Sequence, residues 1–341
     1  MKDIKRQIRT LFLVIVTTVS VITGCGTIQE TNGQEEANQE EYVVKIGYSA
    51  GLCHAPIHIA IENGYFEEEG LKFEAIAMEG VITEAVGSGQ VDAGFGLVGK
   101  FIQPLENGLP MKLTAGIHTG CTKLLVAGDS DINSVADLKG KRIGVASLAD
   151  SPCLTAKRSL ANAGIGVTAD NMEVEFVVYN NSDLPMALQN GAIDAFCAPD
   201  PAVSVAEKEF GFKVIIDTTT DEEYKDEYCC LSFVTTDLAA NHPDLAAKYT
   251  RAVMKAARWI EEHPTETAQI QIDHNYVSGD VEFNAAILDS YNFVPSVSGG
   301  YDALAKSVTE LQRIGIIRPE TDAQALIDNS FIRFDDVEDT Y

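Results

Sequence analysis

Residues 51 to 58 read GLCHAPIH, a thiol at Cys53 beside an imidazole at His54, with a second imidazole, His58, one helical turn further on. His118 and Cys121 form a second such group, and single cysteines follow at Cys153 and Cys197. Thiolates and imidazoles suit zinc or copper. A cysteine and a histidine can also work as nucleophile and base when a third group orients the base. Both readings meet objections. Cysteine is often just a small buried residue, no CxxC spacing is present, and neighbours in one loop point in different directions. No catalytic residue, no resident metal and no cofactor is therefore expected. Cys53 and His54 are expected to line a pocket, and His58 to cap packing or face solvent.

Gly94 to Gly99 spells GxGxxG after a strand-like run. The acidic residue that a dinucleotide site needs about 20 positions later is missing, because Ile117 to Thr122 stands there. Gly99-Lys100 also fails as a P-loop, since Phe101 occupies the place of the magnesium-binding Ser or Thr. These glycines are expected to allow tight packing and close approach.

The elements that must position these groups occur twice. Each copy runs from a β-branched strand ending in Ile-Gly, through a loop with Pro and Cys, into a helix, a second strand and a short helix. Each closes on a related pentapeptide, Gly89-Gln90-Val91-Asp92-Ala93 or Gly191-Ala192-Ile193-Asp194-Ala195. Strand and helix in alternation imply parallel strands with right-handed helical crossovers. Two copies imply two similar α/β lobes, each a mostly parallel sheet flanked by helices. The expected boundaries give residues 42–128 plus 233–341 to lobe 1 and 129–232 to lobe 2, with two chain crossings forming a hinge. Beyond Pro243 the pattern is helical, with Leu245, Tyr249, Val253, Ala256, Ala257 and Ile260 on one stripe, Asn241 as cap and Trp259 in the core.

The N-terminus sets the compartment. Lys2, Lys5, Arg6 and Arg9 precede an apolar stretch from Leu11 to Ile22, too short to span a bilayer, which reads as an export signal over residues 1–24. Ile22-Thr23-Gly24-Cys25 resembles the lipobox of bacterial lipoproteins, which implies lipidation of Cys25. Residues 25–41, rich in Glu and without Lys or Arg, read as a disordered tether. Over the whole chain 25 basic residues face 51 acidic ones. Such an excess of negative charge argues against nucleic acid as a partner.

Three stretches then point to one family. HAPIHIAIENGYFEEEGL, the Gly-Gln-Val-Asp pattern at 89 to 92, and SVADLKGKRIGV at 134 to 145 resemble the substrate-binding proteins of ABC importers. The branch is the one serving nitrate, sulfonates, taurine and pyrimidine precursors of thiamine. The resemblance implies a type II periplasmic-binding-protein fold closing on a small solute. It also implies a membrane permease with its ATPase as partners, and a lipid-anchored monomer outside the cytoplasm. Eukaryotic pyrimidine-precursor synthases resemble the same fold family, and export of this chain argues against that enzyme activity.

In open α/β sheets ligands sit outside the carboxyl ends of the strands. The loops at those ends make Ser49, Cys53, His54, Val98, His118, Thr119, Cys121, Ser147, Ser151, Cys153, Asn180 and Asp200 the candidate ligand-binding residues. They contain no Lys or Arg, with Lys100, Lys123 and Lys157 only at their margins. That favours a neutral or amine-bearing heterocycle, with Asp200 as partner of the amino group. Zinc or copper held by Cys53, His54, His118 and Cys121, joined by Cys153 and Cys197, is the alternative.

Overall fold

The computed structural model describes residues 42–78 and 81–341. The export signal, Cys25 and the tether lie outside the described residues. In chain order the strands are β1 (Val44–Tyr48), β2 (Phe73–Ala77), β3 (Ala93–Leu97), β4 (Met111–Thr119), β5 (Thr122–Val126) and β6 (Arg142–Val145). A two-residue hairpin, β7 (Val167–Thr168) and β8 (Asn171–Met172), precedes β9 (Glu175–Val178), β10 (Ala195–Pro199), β11 (Lys213–Asp217) and β12 (Tyr228–Thr235).

These strands build two five-stranded sheets, ordered β2-β1-β3-β12-β4 and β9-β6-β10-β5-β11. The first three strands of each sheet are parallel, and the fourth runs antiparallel to its neighbours. The two lobes thus share one plan. The chain crosses at Gly120-Cys121, between β4 and β5, and returns between β11 and β12. This moves the expected boundaries. Thr122–Val126 pairs with β10 and β11 in the second sheet, and the return strand is hydrogen-bonded into the first sheet from Tyr228 onwards. The sequence could not show this, because a strand's apolar pattern does not say which sheet receives it.

The duplicated pentapeptide has a physical role. Asp92 Oδ2 accepts from the Lys45 N–H at 2.9 Å, while the Asp92 N–H donates to the Lys45 carbonyl at 2.7 Å. Asp194 repeats this with Arg142, at 2.8 Å in both directions. Each aspartate pins the start of the first strand of its own repeat, β1 or β6. The stretch SVADL contributes a reciprocal capping box between Ser134 and Asp137.

Glycine in β3 serves packing, as the sequence implies. A Cβ at Gly94 would lie 2.7 Å from the Phe233 ring, and one at Gly96 would lie 3.0 Å from Phe101. The C-terminal helices cover the first lobe: Pro243–Glu262 packs on the helix Ala55–Glu62 and on β4. Its buried stripe includes Tyr249, Val253, Ala256, Ala257 and Ile260, and the Tyr249 hydroxyl donates to the Gly94 carbonyl at 2.6 Å. Two details differ from expectation. His242 holds the cap position, while Asn241 ends the preceding helix and bonds Asp237. Trp259 is half-buried and stacks on His263 at 4.4 Å. Among the described residues no helix is long and apolar enough to cross a membrane.

Candidate functional site

The lobes meet where two helix N-termini face each other. Gly99 opens the helix Gly99–Glu106 in lobe 1, and Ser151 opens Ser151–Asn162 in lobe 2. A Cβ on Gly99 would sit 2.7 Å from Ser151 Oγ and 3.2 Å from Ser151 Cα. Lys100 Nζ lies 3.4 Å from Asp150 Oδ1 across the same gap. Asp150 also caps the second helix, its side chain accepting from the Ser151 N–H at 2.8 Å. That helix terminus is already occupied by a carboxylate.

Behind this contact lies a cavity walled by both lobes. Val98, Gly99 and Ser307 come from lobe 1, and Thr122, Ser151, Thr155, Arg158 and Thr218 from lobe 2. Glu227 and Cys229, on the returning segment, close it. About 40 Å³ admits the centre of a water-sized sphere, room for a few waters but not for an organic solute. A solute of that size requires the lobes to separate. Two polar atoms of lining residues, Arg158 Nε and Ser307 Oγ, are buried without a partner.

Arg158 is the cation that the loops lack. It sits inside the helix after the Ser147–Cys153 loop, so a search confined to strand ends passes over it. Its charge is balanced: Arg158 makes a two-pronged ion pair with Glu227 at 2.7 and 2.9 Å, and Lys306 Nζ reaches the same carboxylate at 2.7 Å. Burial works to raise the Glu227 pKa, but the two cations outweigh it and hold it below the usual carboxylate range.

The predicted residues divide into four groups, with Ser49 apart from them. Cys53, His54, His118, Thr119, Cys121 and Asp200 gather beside the chain crossing; the Asp200 N–H donates to the Cys121 carbonyl at 2.9 Å. Val98 and Ser151 line the cavity. Ser147 and Asn180 are exposed at the rim, bonded to the Ala149 N–H and to Asp183 respectively, because both loops fold outward. Cys153 and Cys197 are fully buried inside lobe 2, where burial pushes Cys153 up to about 11 and Cys197 well above the thiol range. They belong to that core and do not join the other thiols. Ser49 contributes its carbonyl, 3.1 Å from His58 Nε2.

His58 neither caps nor faces solvent. It is fully buried, stacked on Tyr276 at 3.9 Å, with Nδ1 2.9 Å from the Gln271 amide. Burial, then repulsion by His54, lowers its pKa to about 3.

The chain crossing carries the densest chemistry. Ligand atoms of His118, Cys121, Cys229 and Cys230 all lie within 4.8 Å of one another. Cys121 Sγ is 3.3 Å from Cys229 Sγ, which is 3.6 Å from His118 Nδ1. Hydrogen bonds from Cys229 and Cys230 hold the Cys121 thiol well below its usual range, while burial pushes Cys229 and Cys230 up. His118 is lowered by burial. His54 Nδ1 and the Tyr291 hydroxyl are also buried without partners. Tyr291 stacks on His118 at 5.2 Å, and Phe95 bridges His54 and His118. Burial raises Asp200 to about 6. At the crossing, Cys229, Cys230 and Tyr291 are the residues that sequence reasoning missed, as it missed Arg158 in the cavity. The adjacent cysteines at the head of a returning strand were a usable signal, since that strand must re-enter beside the outgoing crossing. Tyr291, from a loop between distant helices, left none.

Residues 52–267 match the model of the NMT1/THI5-like family. A Bacillus subtilis protein described as aliphatic sulfonates-binding is 25% identical over 340 residues, covering 94% of this chain and 95% of the relative. A 4-amino-5-hydroxymethyl-2-methylpyrimidine phosphate synthase of Aspergillus parasiticus is 25% identical over 248 residues, covering 66% of this chain and 68% of the relative. Among solved structures, the periplasmic aliphatic sulphonate-binding protein of Escherichia coli superposes with a TM-score of 0.71 at 17% identity, covering 87% of this chain and 94% of that one. The fold is that of the periplasmic binding proteins.

Proposed function

We propose, from the premise that this chain belongs to the NMT1/THI5-like family, that it is the extracytoplasmic solute-binding lipoprotein of an ABC importer. It would be anchored through Cys25 and would deliver a small organic solute to a permease. The observation that carries the reading is the cavity built from both lobes, in which Arg158 Nε of one and Ser307 Oγ of the other are buried without partners. A buried polar atom left unpaired costs about 1–3 kcal/mol, and a solute admitted when the lobes part and held as they close back on it offsets that cost by bonding both atoms. Binding thereby stabilises closure.

Within the sulfonate, nitrate and pyrimidine-precursor class, a neutral or amine-bearing heterocycle fits best. Arg158 is already paired with Glu227, and Asp150 fills the facing helix terminus. Asp200, which accepts from the Ser204 N–H at 3.1 Å, is the carboxylate that this reading assigns to an amino group. Named relatives include both binding proteins and synthases; the reading is of binding without a chemical step.

A thermal-shift screen against alkanesulfonates, nitrate, pyrimidines and formylaminopyrimidines tests it. A cognate solute at a hundred times its Kd adds about 2.7 kcal/mol, which raises the midpoint by roughly 5 °C for a chain of this size. Conversion of a candidate solute by the purified protein would replace the reading with an enzyme.

A further inference from the structure

We propose that His118, Cys121, Cys229 and Cys230 form a site for one thiophilic divalent metal ion of the zinc class, set where the chain first passes between the lobes. The inference stands apart from the identity of the solute.

Three segments deliver the four groups: the end of β4, the crossing itself and the start of β12. Neighbours on a strand normally face opposite sides of the sheet, so Cys229 and Cys230 would not ordinarily converge. The β12–β4 register shifts between Tyr228 and Cys230 and again between Cys230 and Leu231. Such a bulge re-aims side chains, and here it turns both sulfurs toward the same point. Cys121 has φ +81, a left-handed conformation that non-glycine residues rarely hold. Strain of this kind costs about 1–3 kcal/mol and collects at functional sites.

The distances fit tetrahedral coordination. Zinc–sulfur bonds of about 2.3 Å and zinc–nitrogen bonds of about 2.0 Å place sulfur and nitrogen ligands roughly 3.6 Å apart and two sulfurs roughly 3.8 Å apart. Cys229 Sγ to His118 Nδ1 is 3.6 Å, and Cys121 Sγ to Cys229 Sγ is 3.3 Å. No atom of the four need move by more than about an ångström. His118 Nδ1 lies 3.0 Å from the Thr119 carbonyl, so ligation requires the tautomer with its proton on Nε2. That Nε2 is buried without a hydrogen-bond partner, on a residue that is fully buried. Ligation through Nδ1 gives up the Thr119 contact and leaves the Nε2–H without a partner, and the site rests on the convergence of three thiols and one ring nitrogen on a single point. His118, Cys121 and Cys230 are shielded, whereas Cys229 reaches the cavity between the lobes, which gives the ion an entry side.

The test is titration of the reduced full mature chain with cobalt(II), then zinc(II). The expected result is one cobalt per chain, with thiolate charge-transfer absorption and the intense visible bands of a tetrahedral site, all lost when zinc displaces it. Cys229→Ser and Cys121→Ser should each cut the charge-transfer band by about a third or more and weaken zinc binding by on the order of 100-fold. Cys153→Ser and Cys197→Ser, in the other lobe, should leave both unchanged. Cys229 is the least buried of the four, so circular dichroism of that variant separates loss of metal from loss of fold. Three outcomes overturn the site: no charge-transfer band in reduced protein, a band of undiminished intensity in folded Cys229→Ser, or equal loss in Cys153→Ser.

Discussion

Acid should loosen this protein through His58. The ring is fully buried, its Nε2–H donates to the Ser49 carbonyl, and its Nδ1 accepts from Gln271, so both nitrogens are satisfied in the neutral form alone. Its folded pKa lies at about 3 against 6.5 in the unfolded chain. Between those values the unfolded state holds a proton that the folded state does not, so stability is full above about pH 6.5 and falls as the pH drops. At pH 5 the loss from His58 alone is about 2 kcal/mol. His54, lowered to about 4, and His118 act in the same direction. Asp200 acts in the opposite one: burial lifts its folded pKa to about 6, above the ordinary 3.8. It takes up its proton first in the folded state and returns roughly 1 kcal/mol at pH 5. The assay is urea unfolding at pH 7 and pH 5, followed by circular dichroism, for the wild type and His58→Gln. Glutamine can keep a donor to Ser49 but does not titrate. The wild type should lose stability between the two conditions, and the variant should lose about 2 kcal/mol less. A wild type as stable at pH 5 as at pH 7, or a variant with an unchanged difference, would refute the reasoning.

Two further perturbations address the lobe interface. Gly99→Ala sets a methyl 3.2 Å from the Ser151 Cα, a clash that no side-chain rotation removes. It should enlarge the radius of gyration in small-angle scattering and weaken solute binding by roughly 5- to 150-fold, the equivalent of the 1–3 kcal/mol usual for overpacking. Gly96→Ala, which meets Phe101 within one lobe, should lower thermal stability without that change in shape. Glu227→Gln strips Arg158 of its buried partner and should cost about 3–5 kcal/mol in urea unfolding, while Arg158→Met combined with Glu227→Gln should cost less than the two single changes added. Additivity in that cycle would mean that the pair is not coupled.

The strand-helix duplication was legible because its signals are local: each Gly-x-Val/Ile-Asp places an aspartate where it can pin the first strand of its own repeat. The stripe on Pro243–Glu262 was legible for the same reason, since periodicity records which face is buried. Sheet membership was not. β5 and β12 each continue an apolar pattern that fits either lobe, and only pairing across the crossing decides. The site shows the same limit. Cys53, His54, His118 and Cys121 stand at strand ends and could be found, whereas Cys229 and Cys230 converge only through a bulge, and Arg158 sits within a helix. Ser147 and Asn180 stand at strand ends too, yet their loops turn away, and loop direction is set by contacts that sequence does not display.

The exchange of strands at the crossing also fixes an order of completion. Every strand of the second sheet lies between Thr122 and Asp217, so that lobe is fully present once the chain has been made to that point. The first sheet lacks its fourth strand until Thr235, and its β4 is bridged by Ser296 and Phe331 near the far end of the chain. The lobe that begins first is therefore the last to become complete. A chain cut short between Asp217 and Tyr228 would carry a finished second sheet attached to a first sheet without β12, its unpaired edge available to a neighbouring chain.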